Sequence, residues 1–353
     1  MIALPPSPGV DAAIDGSVAR VVERARDLGP GFAALGDALS RATRGGKRFR
    51  PALVAASFEA FGGDPAAAPG LYSVAAAFEL LHTAFVVHDD VIDHDTERRG
   101  VPNVAGEFRQ RARQRGADAA GEALLGDAAA ILAGDLLLHE ALRLVAFADV
   151  DPVARERLFA LVDDAVYVSA AGELADVENS VARIDDAAGS QEALAAAFNK
   201  TAVYSFRSPL QAGAVLAGAS DAAMDVIAHA GGLLGLAFQL VDDLIGAFGT
   251  AEQAGRESGG DLRESKRTPL VALARETPSW TRVSDALAQA HTGPIAVREA
   301  QVALEESGAR VRLLSLIEET LDDVRATSRD SSLPEAAGRL LRELAGGMER
   351  RIP

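Results

Sequence analysis

Cysteine is missing from all 353 positions. That excludes disulfides and thiolate metal sites and fits a reducing compartment. Aromatic residues are only 5% of the chain, and strand-type alternation is scarce. No basic-then-apolar leader opens the sequence, and no uncharged apolar run reaches the length of about 18 residues that a membrane span needs. Positive charge is outweighed, with 35 Lys and Arg against 51 Asp and Glu and a net charge of −16. A surplus of that sign argues against nucleic acid or an anionic membrane as a standing partner. Any cations that matter must be concentrated locally. No Pro/Ser/Gly-rich linker splits the middle, so one domain over 1–353 is expected, soluble and cytoplasmic, with residues 1–9 loosely held.

What is present is helix-forming. Ala and Leu dominate, and 48% of residues are hydrophobic, enough for a large core. Apolar spacing predicts helices over 11–28, 31–42, 49–62, 70–95, 121–147, 152–178, 191–203, 205–217, 221–247, 268–276, 282–290, 295–306, 310–327 and 333–347. Long connections are expected at Val101–Gly116, Val181–Ser190 and Thr250–Ser265. The last is Gly-rich and could serve as a lid or as an ordinary mobile loop.

One stretch stands out: ELLHTAFVVHDDVIDHDTERRG, Glu79 to Gly100. Asp89, Asp90 and Asp93 close an apolar helical run, and Arg98 and Arg99 follow. Asp89 and Asp93 lie one turn apart on one face. Carboxylates so placed repel unless a cation sits between them, and hard divalent cations such as Mg2+ take oxygen ligands from carboxylates and phosphates. Arginines suit phosphate oxygens through paired hydrogen bonds. The combination describes a diphosphate site at a helix end. A second Asp pair, Asp242-Asp243 in FQLVDDLIGAFG, also ends an apolar helix and precedes a lysine-bearing loop. Asp163-Asp164, Asp185-Asp186 and Asp322-Asp323 lack such surroundings and read as solvated. Asp95 reads as a solvated acid, and His88, His94 and His139 have no partner at zinc spacing. Gly231, Gly232 and Gly235 read as helix-packing glycines.

In order along the chain, GGKRFRP (Gly45 to Pro51), HDDVIDHDTERRG, NKTAVYSF (Asn199 to Phe206), FQLVDDLIG and DLRESKRTPL (Asp261 to Leu270) resemble the motifs of trans-isoprenyl diphosphate synthases, in the short-chain geranylgeranyl/farnesyl diphosphate synthase group. The resemblance implies an all-α fold, a single large helical bundle around a central apolar cavity (isoprenoid synthase-like), and a homodimer. It implies condensation of isopentenyl diphosphate with an allylic diphosphate, assisted by a trinuclear Mg2+ cluster. Carried over by position, Asp89, Asp93 and Asp242 are the metal ligands, supported by Asp90 and Asp243. Arg98, Lys200, Thr201, Gln239 and Lys266 hold the allylic diphosphate, and Lys47, Arg50, His82 and Arg99 hold isopentenyl diphosphate.

Three departures accompany the resemblance. Gly246 stands where the second cluster has its last carboxylate, Arg256 where a lysine is common, and Ser265 where a glycine precedes Lys266. In the family, the residues four and five before the first aspartate help close the pocket for the growing tail. Here they are Phe85 and Ala84, with Phe78 about three turns from Asp89 near the same azimuth. One aromatic and one small residue imply geranylgeranyl diphosphate, with farnesyl and farnesylgeranyl diphosphate as neighbouring products. A class I terpene synthase would share the first cluster but not need Lys47, Arg50 and His82. A non-catalytic partner subunit that binds prenyl diphosphates is the reading Gly246 would favour.

Overall fold

The computed structural model describes residues 7–182, 188–254 and 258–353. Among them the chain is helical apart from one two-stranded hairpin. It forms two compact units. One runs to Val162 and takes in Val215–Ala217; the other holds Asp163–Ala214 and Gly218–Pro353.

The first unit contains α1 (Pro8–Arg26), α2 (Pro30–Ala42), α3 (Phe49–Ala60), α4 (Leu71–Ile92), α5 (Val104–Gln114), α6 (Ala119–Ala146) and the start of α7 (Pro152–Val181). Proline in the first turn starts α1 and α2, where its missing N–H is no loss. Asn103 and Asp118 cap α5 and α6 by accepting the Gly106 and Gly121 N–H groups at 2.9 Å, a contribution of about 1 kcal/mol each. The centre is α4. Val74, Ala75, Ala76, Ala77, Phe78, Leu80, Leu81 and Ala84 are all buried, so the helix is apolar nearly all round and packs on α1, α3 and α6 together. Glu140 of α6 is buried in this core, where Ser17 Oγ donates to it at 2.7 Å and Arg20 pairs with it.

Two sequence expectations change here. The helix expected from 11 begins at Pro8, so 1–9 is not wholly a loose lead. Val101–Gly116 is not a plain connection. Glu97–Arg98 (β1) pairs antiparallel with Val101–Pro102 (β2), turned by Arg99 and Gly100 at φ 55° and 76°. Positive φ at both central residues is what a two-residue type I′ turn requires. Then comes α5, strongly polar except for a buried stripe of Val104, Ala105, Phe108 and Ala112.

The second unit contains the rest of α7, α8 (Ser190–Ala197), a π-helical stretch (Phe198–Arg207), most of α9 (Ser208–Leu216), α10 (Asp221–Phe248), α11 (Ala251–Ala254), α12 (Gly260–Arg263), α13 (Pro269–Arg275), α14 (Trp280–Gln289), α15 (Pro294–Glu306), α16 (Ala309–Thr327) and α17 (Glu335–Glu349). The expected break near 204 is instead a wider helical turn. It is gripped by glycines. A Cβ on Gly172 of α7 would lie 2.2 Å from Lys200 N, and one on Gly235 of α10 would lie 2.4 Å from Ala202 Cα. Gly231 likewise faces the Arg207 backbone, so the α10 glycines serve packing. Thr250–Ser265 carries α11 and α12; residues 255–257, with Arg256, lie outside the described residues, as do 183–187 with Asp185 and Asp186. Among the described helices, α4 and α10 have the length and apolar composition of a membrane span, yet 67% and 50% of those windows are buried within the protein.

Candidate active site

In the first unit the C-terminal end of α4 and the hairpin make one cluster. Asp89 is partly exposed, and the Asp93 N–H donates to Asp89 O at 2.8 Å. Asp93 thus closes the last turn of α4, and the one-turn separation read from the sequence holds. The type I′ turn folds Arg98 back over the helix end. Its Nε and Nη2 reach Asp90 Oδ1 at 3.0 and 2.5 Å, with Asp89 Oδ2 at 4.0 Å. Asp90 is buried; burial pushes its pKa up and the Arg98 bond partly restores it. Asp90 therefore anchors the arginine, while Asp89 and Asp93 face outward.

Arg50, Arg98 and Arg99 all act on His82, two turns before Asp89. Burial, then these three arginines in that order, hold the imidazole well below its ordinary value. It is neutral at pH 7 and sits within the combined field of three guanidinium groups. Lys47 is exposed on the loop before α3. In that loop Arg48, in the left-handed region at φ 49°, donates to Glu79 Oε1 at 3.1 Å and to Thr43 O at 2.9 Å, tying the loop to α4.

A pH effect follows from His82. The unfolded chain takes up a proton near the ordinary value of 6.5, while the folded chain resists it until lower pH. The His82 contribution to stability is therefore flat above about pH 6.5 and falls below it, by at most about 1.4 kcal/mol per pH unit. Urea unfolding at pH 7 and pH 5.5, run on the wild type and on His82→Gln, should show this loss as the difference between their two pH slopes. An unchanged slope in the variant would remove His82 as the cause.

In the second unit a hydrogen-bond chain links the π-helical stretch to α10. Thr201 Oγ1 donates to Gln239 Oε1 at 2.8 Å, and Gln239 Nε2 donates to Asp243 Oδ1 at 2.8 Å. Lys200 Nζ reaches Asp176 Oδ2 at 2.8 Å and Glu173 Oε1 at 3.1 Å. Asp242 Oδ1 accepts from Arg351 Nη2 at 2.7 Å, and that guanidinium lies 4.6 Å over the Phe238 ring. Lys266 Nζ is 3.7 Å from Asp261 Oδ1 and 3.4 Å from Glu264 Oε2. Ser265, beside it, sits at φ 57°, which explains why glycine suits the position.

Glu173, Asp176, Asp261 and Arg351 escaped the sequence reading. Asp176 follows Gly172 by one turn on α7, so the close approach that Gly172 permits also delivers its carboxylate to Lys200. A glycine one turn before an acid was the available signal. Arg351 had none, being 109 residues from Asp242.

Among the described residues no group of three or more acidic or histidine side chains already converges to hold a metal. The donor chemistry nevertheless suits a hard cation. Asp243 Oδ2 is buried without a hydrogen-bond partner, and burial pushes this carboxyl up to about 8, aided by Asp261, Asp242 and Asp176 against the Gln239 bond. A buried oxygen in that state calls for a positive charge. The oxygens of Asp242 and Asp243 in one unit, and of Asp89 and Asp93 in the other, are the ligand type Mg2+ takes.

The polyprenyl synthetase family model matches residues 33–304, a span that takes in every motif above. The chain belongs to the polyprenyl synthetase family. A short chain isoprenyl diphosphate synthase of Methanothermobacter thermautotrophicus is 35% identical over 237 residues, 67% of this chain and 65% of that protein. A (2E,6E)-farnesyl diphosphate synthase of Mycobacterium tuberculosis is 36% identical over 269 residues, 75% of this chain and 63% of that one. The matches thus span a little under two thirds of the length of these relatives. A crystal structure of geranylgeranyl pyrophosphate synthase from Corynebacterium glutamicum, complexed with isoprenyl diphosphate and magnesium, resembles this chain with a TM-score of 0.84 at 27% identity, covering 97% of this chain and 98% of that one. The all-α architecture read from the sequence is the architecture found. Within a polyprenyl synthetase, Gly246 is the departure whose surroundings are most informative.

Proposed function

We propose that this polyprenyl synthetase is a trans-prenyltransferase, condensing isopentenyl diphosphate with an allylic diphosphate to give geranylgeranyl diphosphate. The observation that carries the reading is the cluster of Arg50, Arg98 and Arg99 about a neutral His82, beside Asp89 and Asp93 on an apolar helix. A terpene synthase would not need this second anion site, and a non-catalytic subunit would not need the outward-facing carboxylates. Both units are read as one working domain.

Ionisation of the allylic diphosphate is the demanding step, because the leaving group is a polyanion. Mg2+ ions, three per site in this reading, neutralise charge on that leaving group when bound. Asp89, Asp93 and Asp242 would hold them. Arg98, Lys200, Thr201, Gln239 and Lys266 would orient the allylic diphosphate. Lys47, Arg50, His82 and Arg99 would hold isopentenyl diphosphate so that its double bond meets the allylic cation. The departing diphosphate can accept the final proton, which is why no side-chain base is assigned.

Tail length is read from α4, where Ala84 and Phe78 are buried and Phe85 is half-buried. Farnesyl and geranylgeranyl diphosphate synthases both occur among the similar proteins, so Phe85 is the residue to test. Incubation with Mg2+, isopentenyl diphosphate and each labelled allylic primer should give geranylgeraniol after dephosphorylation. Cyclic hydrocarbons would favour the terpene synthase, and no turnover with tight prenyl diphosphate binding the partner subunit. Phe85→Ala should shift the products longer; an unchanged profile would take Phe85 out of the pocket floor. We also propose a cytoplasmic homodimer joined through α6 and the start of α7, where Leu124, Leu132, Phe147, Val153 and Phe159 are exposed apolar side chains.

A further inference from the structure

The run Lys47-Arg48-Phe49-Arg50 carries three cations, and the structure gives them different tasks. Lys47 is exposed, and Arg50 lies close enough to His82 to act on its imidazole. Arg48 is engaged within the protein. Each of its guanidinium nitrogens donates to a different element. Nε reaches Asp11 Oδ1 in the first turn of α1 at 3.2 Å, and Nη1 reaches Glu79 Oε1 of α4 at 3.1 Å. Nη2 reaches the carbonyl of Thr43, which caps the end of α2, at 2.9 Å. A guanidinium held on three sides in this way is a clamp between elements, not a free anion-binding group.

What it clamps is a loop and a buried acid. Glu79 is 6% exposed, and its Oε2 has no hydrogen-bond partner among the described residues. A carboxylate so placed needs a paired cation, and Arg48 is paired with it. The glycines that lead into the loop pass close by. A Cβ on Gly46 would lie 3.5 Å from Glu79 Oε1, and one on Gly45 would lie 4.0 Å from Arg99 Nη1. His82 follows Glu79 by one turn on α4, so the acid adjoins the arginines about that imidazole. Without its partner, Glu79 would repel any diphosphate brought to Lys47 and Arg50. Arg48 itself lies in the left-handed region at φ 49°, which a non-glycine residue keeps only where its surroundings fix it. The three hydrogen bonds fix it.

We propose that Arg48 is a positioning residue for isopentenyl diphosphate. It clamps the Gly45–Arg50 loop across α1, α2 and α4 and cancels the charge of Glu79, so that Lys47 and Arg50 present a net positive site. The inference rests on the prenyltransferase reading and adds to it a residue that never touches the substrate. Through Asp11, it also gives the first turn of α1 a part in substrate binding.

The test is calorimetric titration of the full chain with Mg2+ and no turnover. A non-ionising allylic thiolodiphosphate is titrated first, and isopentenyl diphosphate is then titrated into that complex. Arg48→Lys keeps a charge beside Glu79 but lacks the planar fork that spans three acceptors. It should weaken isopentenyl diphosphate about threefold, and Arg48→Gln about tenfold or more. Both should leave the allylic analogue within about twofold of wild type. Arg48→Gln combined with Glu79→Gln removes the stranded charge and should bring isopentenyl diphosphate back to within about threefold of wild type. A guanidinium that touched the substrate would be missed in the double variant as in the single one. Unchanged isopentenyl diphosphate binding in Arg48→Lys would overturn the proposal. So would equal losses for the two ligands, or a double variant still about tenfold weak. Should Arg48→Gln fail to fold, Arg48→Lys and the double variant decide by the same criteria. A wild-type chain that takes up the allylic analogue but no isopentenyl diphosphate would instead remove the prenyltransferase reading beneath it.

Discussion

Asp89→Ala should lower kcat/KM by about a thousandfold, equivalent to about 4 kcal/mol of transition-state stabilisation, while leaving the melting temperature almost unchanged. The side chain is 30% exposed, with Arg98 Nη2 at 4.0 Å. Arg98 is anchored by Asp90 at 2.5 and 3.0 Å, so truncating Asp89 leaves that arginine its main acceptor. Asp90→Ala should do the reverse in stability. It removes the partner of Arg98 and lowers the melting temperature, because an arginine left beside a buried helix end has lost its main acceptor. Thermal melts read beside steady-state kinetics on both variants separate the roles. If Asp89→Ala retained near wild-type kcat/KM, the outward-facing carboxylate would not be a ligand.

The second large effect is expected at Gly172. An added Cβ would lie 2.2 Å from Lys200 N, 2.6 Å from Asn199 C and 2.7 Å from Lys200 Cα. All three atoms are backbone in a helical turn, which cannot swing aside as a side chain can. Gly172→Ala should therefore destabilise the fold by about 1–3 kcal/mol and move Lys200 away from its place beside Thr201. The expected kinetic signature is a raised KM for the allylic diphosphate in whatever fraction remains folded. Gly16 of α1 is the control, because nothing lies within 4 Å of a Cβ built there. Gly16→Ala should be neutral or stabilising by up to about 1 kcal/mol. Equal melting temperatures for the two variants would mean that α7 can retreat from the π-helical stretch.

The contrast between these glycines shows what the sequence could and could not convey. Long helices such as α4, α6 and α10 were legible because their apolar stripes and caps are local signals. The five motifs were legible because each concentrates charge within a few residues. Helix α5 was hidden by its polarity, although Asn103 marked its start. The π-helical stretch was hidden because one extra residue per turn alters no composition. Asp261 meets Gly246, and Arg351 meets Asp242, only through tertiary packing. Gly246 read alone was a missing carboxylate in the second cluster, and only coordinates revealed the Asp261 carboxylate lying across it.

One more feature bears on anyone wishing to make the protein withstand heat. The described non-glycine residues with positive φ are Arg48, His94, Arg99 and Ser265, and all four fall inside or directly beside the charged motifs. Glycine at such positions ordinarily relieves local backbone strain, so a screen for thermotolerance would be drawn to them. Each, however, aims a neighbouring charge, and strain concentrated in this way marks sites where rigidity and turnover are traded. Heat-tolerant variants should be sought on the outer faces of α14 to α17, leaving those four kinks as they are.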